Sequence, residues 1–303
     1  MTYLQFHLVF ILPPILVLLI AIRGARAALG PRTVWVLPVI ALIAMVYTTA
    51  WDNYLVYRGV WWYGADRVIG TIGWVPVEEY LFFILQPVLT GAWTYLVLMR
   101  RPLRIDPSPV RQVGGLLQQL GDRRLVGAAI YALATGAGLF ALTVERGLYL
   151  GLILVWAAPV LAAQWPFIAS GVASAPGRFA VAAGVPTLYL WVADRVAIGA
   201  GIWSISPRYT TGVHIAGLPM EEAVFFLVTN LLVVQGVLLF LQPSLEREAP
   251  APADPPHTAH AGSIAVQRAP CRPSRPPFTP DRPPFTPDRP GVPNGSRNGR
   301  QRT

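Results

Sequence analysis

Seven apolar stretches, each close to the roughly 20 residues that a helix needs to cross a hydrocarbon core of about 30 Å, constrain this chain more than any other feature. They lie near residues 3–22, 33–51, 76–98, 125–143, 147–166, 178–194 and 220–241 of 303. Backbone inside a bilayer has to satisfy its own N–H and C=O groups, so such stretches form helices. The expectation is an all-α integral membrane protein with about seven transmembrane helices. Composition agrees: 54% of the residues are hydrophobic and 13% charged, too little charge for an ordinary soluble domain. No basic segment precedes the run from Tyr3 to Ile22, which is long enough to span, so it reads as a span and not as a cleavable leader.

A formal charge of +9 would suggest a nucleic-acid partner in a soluble protein. Every one of the 24 basic residues is an arginine, and nine of them follow Gln242. Most of the others fall in two short loops, one with Arg23, Arg26 and Arg32, the other with Arg100, Arg101, Arg104, Arg111, Arg123 and Arg124. This is the pattern of cytoplasmic loops, not of a groove for nucleic acid. It predicts a multi-pass cell-membrane protein with the N-terminus outside and the C-terminal tail in the cytoplasm. The single cysteine, Cys271, excludes an internal disulfide and a cysteine-rich metal site. From Glu248 the chain is rich in Pro, Arg, Thr, Asn and Gly, and Arg-Pro-Pro-Phe-Thr-Pro-Asp occurs at 275–281 and again at 282–288. Such a composition builds no core, so residues 243–303 are expected to be a disordered tail drawn weakly to anionic lipid.

The membrane part repeats itself. Asp52 precedes Trp61 by the same nine residues that separate Asp194 from Trp203. Pro76-Val77-Glu78-Glu79-Tyr80-Leu81-Phe82-Phe83 then returns as Pro219-Met220-Glu221-Glu222-Ala223-Val224-Phe225-Phe226. Both motifs open a helix running inward, so the repeats are parallel and an extra helix is needed between them. A 3+1+3 plan follows, with a pseudo-twofold axis along the membrane normal. It divides the chain into a first three-span domain at 1–100, a linker with one span at 101–145, a second three-span domain at 146–242 and the tail.

Four of the ten acidic residues before the tail sit in the two Glu-Glu pairs, at a depth where a carboxylate is costly. Proline followed by two acids is also what a helix dipole favours at any N-terminus, but duplication weakens that plain explanation. In a helix starting at the proline, Glu78 and Glu79 stand one turn before Phe82 and Phe83, and Glu221 and Glu222 one turn before Phe225 and Phe226. A carboxyl among aromatic rings and beside another carboxyl is a credible general acid, and ring faces stabilise a cation. Trp61, Trp62 and Trp203 read either as part of that lining or as an interfacial aromatic belt. Asp52 and Asp194 read either as partners of the Glu pairs or as loop ion pairs with Arg58 and Arg195. His214 has no counterpart in the other repeat and no metal-ligand companions; no metal site is expected. Nucleotide-binding loops and nucleophile triads are missing from the sequence, so no cofactor is expected. A retinal Schiff base is excluded because there is no lysine.

The twice-occurring Pro-x-Glu-Glu-x-x-Phe-Phe, each preceded by an Asp and a Trp, resembles the small membrane-embedded lycopene cyclases, in the form with two cyclase domains fused in one chain. The likeness covers residues 1 to about 242. It implies acid–base cyclisation of the ends of lycopene to β-ionone rings through a carbocation, without net oxidation or reduction. It also implies an isomerase of the intramolecular-lyase type, an apolar carotenoid substrate in the lipid bilayer, and a place among other carotenoid-biosynthesis enzymes. On this reading Glu78 and Glu221 are the first candidates for the acid and Glu79 and Glu222 their partners. Asp52 and Asp194 are candidate bases, and the Trp and Phe residues the cation shield. A cyclase for a longer or ε-type carotenoid and a 3+1+3 small-solute transporter are the alternatives.

Overall fold

The computed structural model describes residues 1–100 and 123–245. The expectations for the arginine loop at 101–122 and for the tail beyond 245 lie outside the described residues. The chain runs α1 (Tyr3–Phe6), a π-helical turn (His7–Ile11), α2 (Leu12–Ala21), α3 (Ala25–Leu29), α4 (Thr33–Tyr57), β1 (Trp61–Tyr63), β2 (Thr71–Ile72), β3 (Val75–Pro76), α5 (Val77–Arg100), α6 (Arg123–Ala141), α7 (Leu148–Ser174), α8 (Pro176–Gly199), β4 (Trp203–Ile205), β5 (His214–Ile215), β6 (Leu218–Pro219) and α9 (Met220–Leu245). Among the described residues, seven helical stretches are long and apolar enough to span a membrane: Tyr3–Ala21, Thr33–Tyr57, Val77–Arg100, Arg124–Ala141, Glu145–Ser174, Pro176–Gly199 and Met220–Gln242.

Where the helices differ from the expected spans, local bonding explains it. The second span continues past Trp51 because its polar end finds partners: Asn53 Nδ2 donates to the carbonyl of Thr49 (2.8 Å) and to the Tyr80 hydroxyl (3.0 Å). In the first span a π turn leads into Pro13 and Pro14. Pro14 has no N–H to offer the carbonyl of Phe10, and Tyr189 donates its hydroxyl there instead (2.6 Å).

α5 and α9, the helices opened by the motifs, are the centre of the bundle: 61% of the most apolar window of each is buried, against 22% for the first span and 11% for α6. α5 packs on α4, α8 and α9, and α9 packs on α4, α7 and α8. α6 lies against α7, where Gly138 and Gly151 let the backbones approach. A Cβ at Gly151 would stand 2.8 Å from the carbonyl oxygen of Gly138, the small-residue contact usual between membrane helices.

The short strands position the site. β1 and β4, from opposite halves of the chain, pair antiparallel with Trp61 opposite Ile205, Trp62 opposite Ser204 and Tyr63 opposite Trp203. Gly64 N–H to the carbonyl of Ile202 (2.9 Å) and Ser206 N–H to the carbonyl of Val60 (2.8 Å) extend this ladder equally at both ends. β2–β3 and β5–β6 are tight hairpins, each turning through a left-handed backbone, Gly73 (φ 66°) in one and Ala216 and Gly217 (φ 50° and 81°) in the other. Each motif proline ends a hairpin strand and does not sit in the first helical turn as expected. Val77 and Met220, the first helical residues, still donate across the hairpin loops to Gly70 and Val213.

Candidate active site

The two glutamates of each motif part company. Glu78 is fully buried and its Oε1 accepts the N–H of Ile69 (2.8 Å). Glu221, equally buried, accepts both the N–H and the hydroxyl of Thr211 (2.7 and 2.8 Å). These two acids hold the loop between the short strands against the helix N-terminus. Their neighbours, one residue and about 100° further round the helix, face the interior. Glu79 Oε2 accepts the hydroxyls of Tyr3 (2.7 Å) and Tyr63 (3.0 Å). Glu222 Oε1 accepts the hydroxyl of Tyr149 (2.8 Å).

Glu79 and Glu222 line one small cavity together with Asp52 and Asp194. The rest of its wall is Tyr3, Tyr63, Tyr149, Trp61, Trp203, Phe6, Phe82, Phe225, Phe226, Leu190 and Ile205, with no basic side chain. Both halves of the chain build it. Tyr3, which begins the first span, packs on Trp203 of the second half (ring centroids 5.0 Å apart), and Tyr149, near the start of α7, packs on Trp61 of the first (5.4 Å). The N–H groups of Tyr3 and Tyr149 donate to the carbonyls of Arg67 and Tyr209, which fixes both phenols over the carboxyl groups. Asp52 and Asp194 are buried (2% and 1% exposed), each with a buried Oδ2 that has no hydrogen-bond partner among the described residues. Neither is a loop ion pair: Arg58 lies 6.0 Å from the ring of Tyr209, and Arg195 donates to the carbonyl of Gly217 (2.6 Å).

The aromatic candidates divide similarly. Trp61, Trp203, Phe82, Phe225 and Phe226 face the carboxyl groups, and Trp51 stacks on Phe225 at 5.8 Å with the rings nearly parallel. Phe83 instead meets Tyr80 edge-on (5.6 Å) and lines a neighbouring groove. Trp62 is 48% exposed, pointing to the other face of β1, as alternation along a strand requires. Tyr63 has its phenol pushed well above the ordinary range by burial first and then by the charge of Glu79, so it stays a hydrogen-bond donor.

The sequence profile of the lycopene cyclases matches residues 2–97 and 146–240. The chain belongs to the lycopene cyclase family. A lycopene beta-cyclase of Halobacterium salinarum is 41% identical over 239 residues, 79% of this chain and 95% of the relative. A bifunctional lycopene cyclase/phytoene synthase of Aspergillus niger is 38% identical over 202 residues, 66% of this chain and 34% of that protein. One from Phaeosphaeria nodorum is 35% identical over 252 residues, 78% and 40% of the two chains. No solved structure matches.

For this lycopene cyclase family member, the matched segments contain the carboxyl groups of the cavity and the strands that pair across it. The phenols of Tyr3, Tyr63 and Tyr149 are absent from the sequence-level candidates. Tyr3 and Tyr149 each open the first helix of their half, which was a signal available in the sequence, but they stand at different distances from Asp52 and Asp194, so alignment on the motifs does not bring them together. Tyr63 has Ile205 at its counterpart and gives no repeat signal at all.

Proposed function

We propose that this protein is a lycopene β-cyclase in which the two halves share one active site. The observation that carries the reading is the gathering of Asp52, Glu79, Asp194 and Glu222 in a single aromatic-walled cavity with no cation among its lining residues. Such a site holds and passes protons and has ring faces to shelter a carbocation, and the relatives named above carry out cyclisation of lycopene by name.

A proton from a glutamic acid adds to C2 of the terminal C1=C2 bond and leaves a tertiary cation at C1. The C5=C6 π electrons attack C1, closing the C1–C6 bond and moving the cation to C5. Loss of the C6 proton to a carboxylate restores the C5=C6 alkene, so one proton enters, one leaves and no electrons are exchanged. Glu222, with one phenol donor, is the acid. Glu79, with Tyr3 and Tyr63 both donating to one oxygen, is the acceptor. Asp52 and Asp194 return the proton between them. This assignment departs from the order expected from sequence, since Glu78 and Glu221 are engaged by loop amides. Trp61, Trp203, Phe82, Phe225 and Phe226 shield the cation and keep water from capturing it. The net change is an isomerisation within one molecule, the chemistry of an intramolecular lyase.

The same reading extends to topology. The antiparallel pairing of β1 with β4 about Trp62 and Ser204 is what a twofold axis along the membrane normal produces, and it supports the 3+1+3 plan, with the cavity near the outer face and the arginine loops in the cytoplasm. The substrate reaches the site from the lipid bilayer, where the enzymes that supply it also work.

Expression in cells that accumulate lycopene, followed by chromatography of the pigments, tests the function. The expected result is conversion to the two-ring product by way of a one-ring intermediate. Unchanged lycopene beside an abundant, membrane-inserted protein contradicts the proposal.

A further inference from the structure

The carboxyl cavity is small, ≈ 40 Å³, room for little more than a water molecule or two. Its substrate is a long stiff chain of which only one end reacts at a time, so most of the molecule has to lie elsewhere while the end is among the acids. A second, larger cavity of ≈ 120 Å³ adjoins it, and Phe82 and Phe225 form part of both walls. This second cavity is a groove between α4 and α7, floored by α9 from Phe225 to Phe240, about 22 Å of helix at the usual rise.

The groove has the chemistry for a polyene. Its walls are mainly aliphatic and aromatic, and two of its polar residues are already engaged: Thr229 donates to the carbonyl of Phe225 on its own helix (2.8 Å), and Gln86 donates to Asn230 (2.8 Å). It also opens to the hydrocarbon, because Ile43 and Tyr47 on its α4 rim are 51% and 41% exposed. At the end nearest the acids Tyr47 bridges the gap, its hydroxyl donating to the carbonyl of Trp156 (2.7 Å) and its ring stacked on the Trp156 indole at 5.2 Å.

We propose that the α4–α7 groove is the binding site for the unreacted polyene of the substrate, entered sideways from the bilayer, with Phe82 and Phe225 as the swinging partition through which one end reaches the carboxyl groups. This inference rests on the cyclase reading. One consequence is that the two ends react in turn: after the first ring closes, the molecule withdraws, reverses and re-enters.

Ala44 on the α4 wall and Gly236 on the α9 floor line the groove, and neither lines the carboxyl cavity. The test is cyclisation kinetics of the full chain in phosphatidylcholine vesicles with lycopene at graded mole fraction, for wild type, Ala44→Phe and Gly236→Leu. Interactions with a part of the substrate that does not react bind ground and transition states alike and appear in KM. The expected result is an apparent KM raised about tenfold or more with kcat within twofold. An unchanged KM, or a fall in kcat at constant KM, overturns the groove assignment while leaving the cyclase reading intact. If either large side chain prevents accumulation in the membrane, Ala44→Leu and Gly236→Val are read by the same criteria. No ring product from wild-type protein overturns the cyclase reading itself.

Discussion

The two halves bring the same acids to the cavity and hold them differently. In the first, Glu79 accepts two phenols, and the Trp61 indole N–H is taken by one of them, donating to Tyr63 (3.2 Å). In the second, Ile205 stands where Tyr63 stands, so Glu222 accepts one phenol, and the freed Trp203 N–H turns to Asp194 (2.8 Å). A single substitution between repeats, tyrosine against isoleucine, thus redirects an indole and changes which carboxyl is stabilised as an acceptor. On the proposed reading this difference gives the two glutamates separate roles: a shared site needs one proton donor and one proton acceptor, and identical halves would offer two of each.

Removing either inward glutamate is expected to have the largest effect on both halves. Glu79→Gln and Glu222→Gln are each expected to lower the rate of lycopene loss by about 10²–10⁴-fold, the range for a lost acid–base group, measured in vesicles; a much smaller fall in one of them would make that half dispensable. Tyr63→Phe makes the first half resemble the second. Loss of a hydrogen bond to a charged group is worth about 1.5–3 kcal/mol, so kcat is expected to drop by roughly tenfold to a hundredfold while the protein stays folded. The converse change, Ile205→Tyr, sharpens the point: it offers Glu222 a second phenol, and slower turnover with unchanged membrane abundance is the expected readout. Smallest is the effect of Glu78→Gln and Glu221→Gln. Glutamine keeps an acceptor for the loop amides, so activity is expected within about threefold, with a loss of roughly 1 kcal/mol in stability to thermal unfolding. A collapse of activity in those two variants, with the loops intact, would return the acid role to the loop-held glutamates.

Much of this was legible before the structure. The seven spans follow from the apolar stretches, because backbone in hydrocarbon has few options. Asp52, Asp194, Trp61 and Trp203 announce themselves by keeping their spacing across the repeat. Which member of each Glu pair faces inward was not legible, since adjacent residues differ by about 100° around a helix and hydropathy says nothing about rotation when the helix is buried on most sides. The β1–β4 pairing was equally hidden: three residues per strand carry too little alternation to be read, and the partner lies in the other half of the chain. That pairing is what merges two motifs into one cavity.

Whether the two halves make one site is read from the pigments of lycopene-accumulating cells that carry Glu222→Gln alone. Lycopene with no ring at either end is expected, because on this reading the first half has no site of its own. Steady accumulation of the one-ring carotenoid at an appreciable fraction of the wild-type rate would contradict it, and would mean that each half cyclises one end independently.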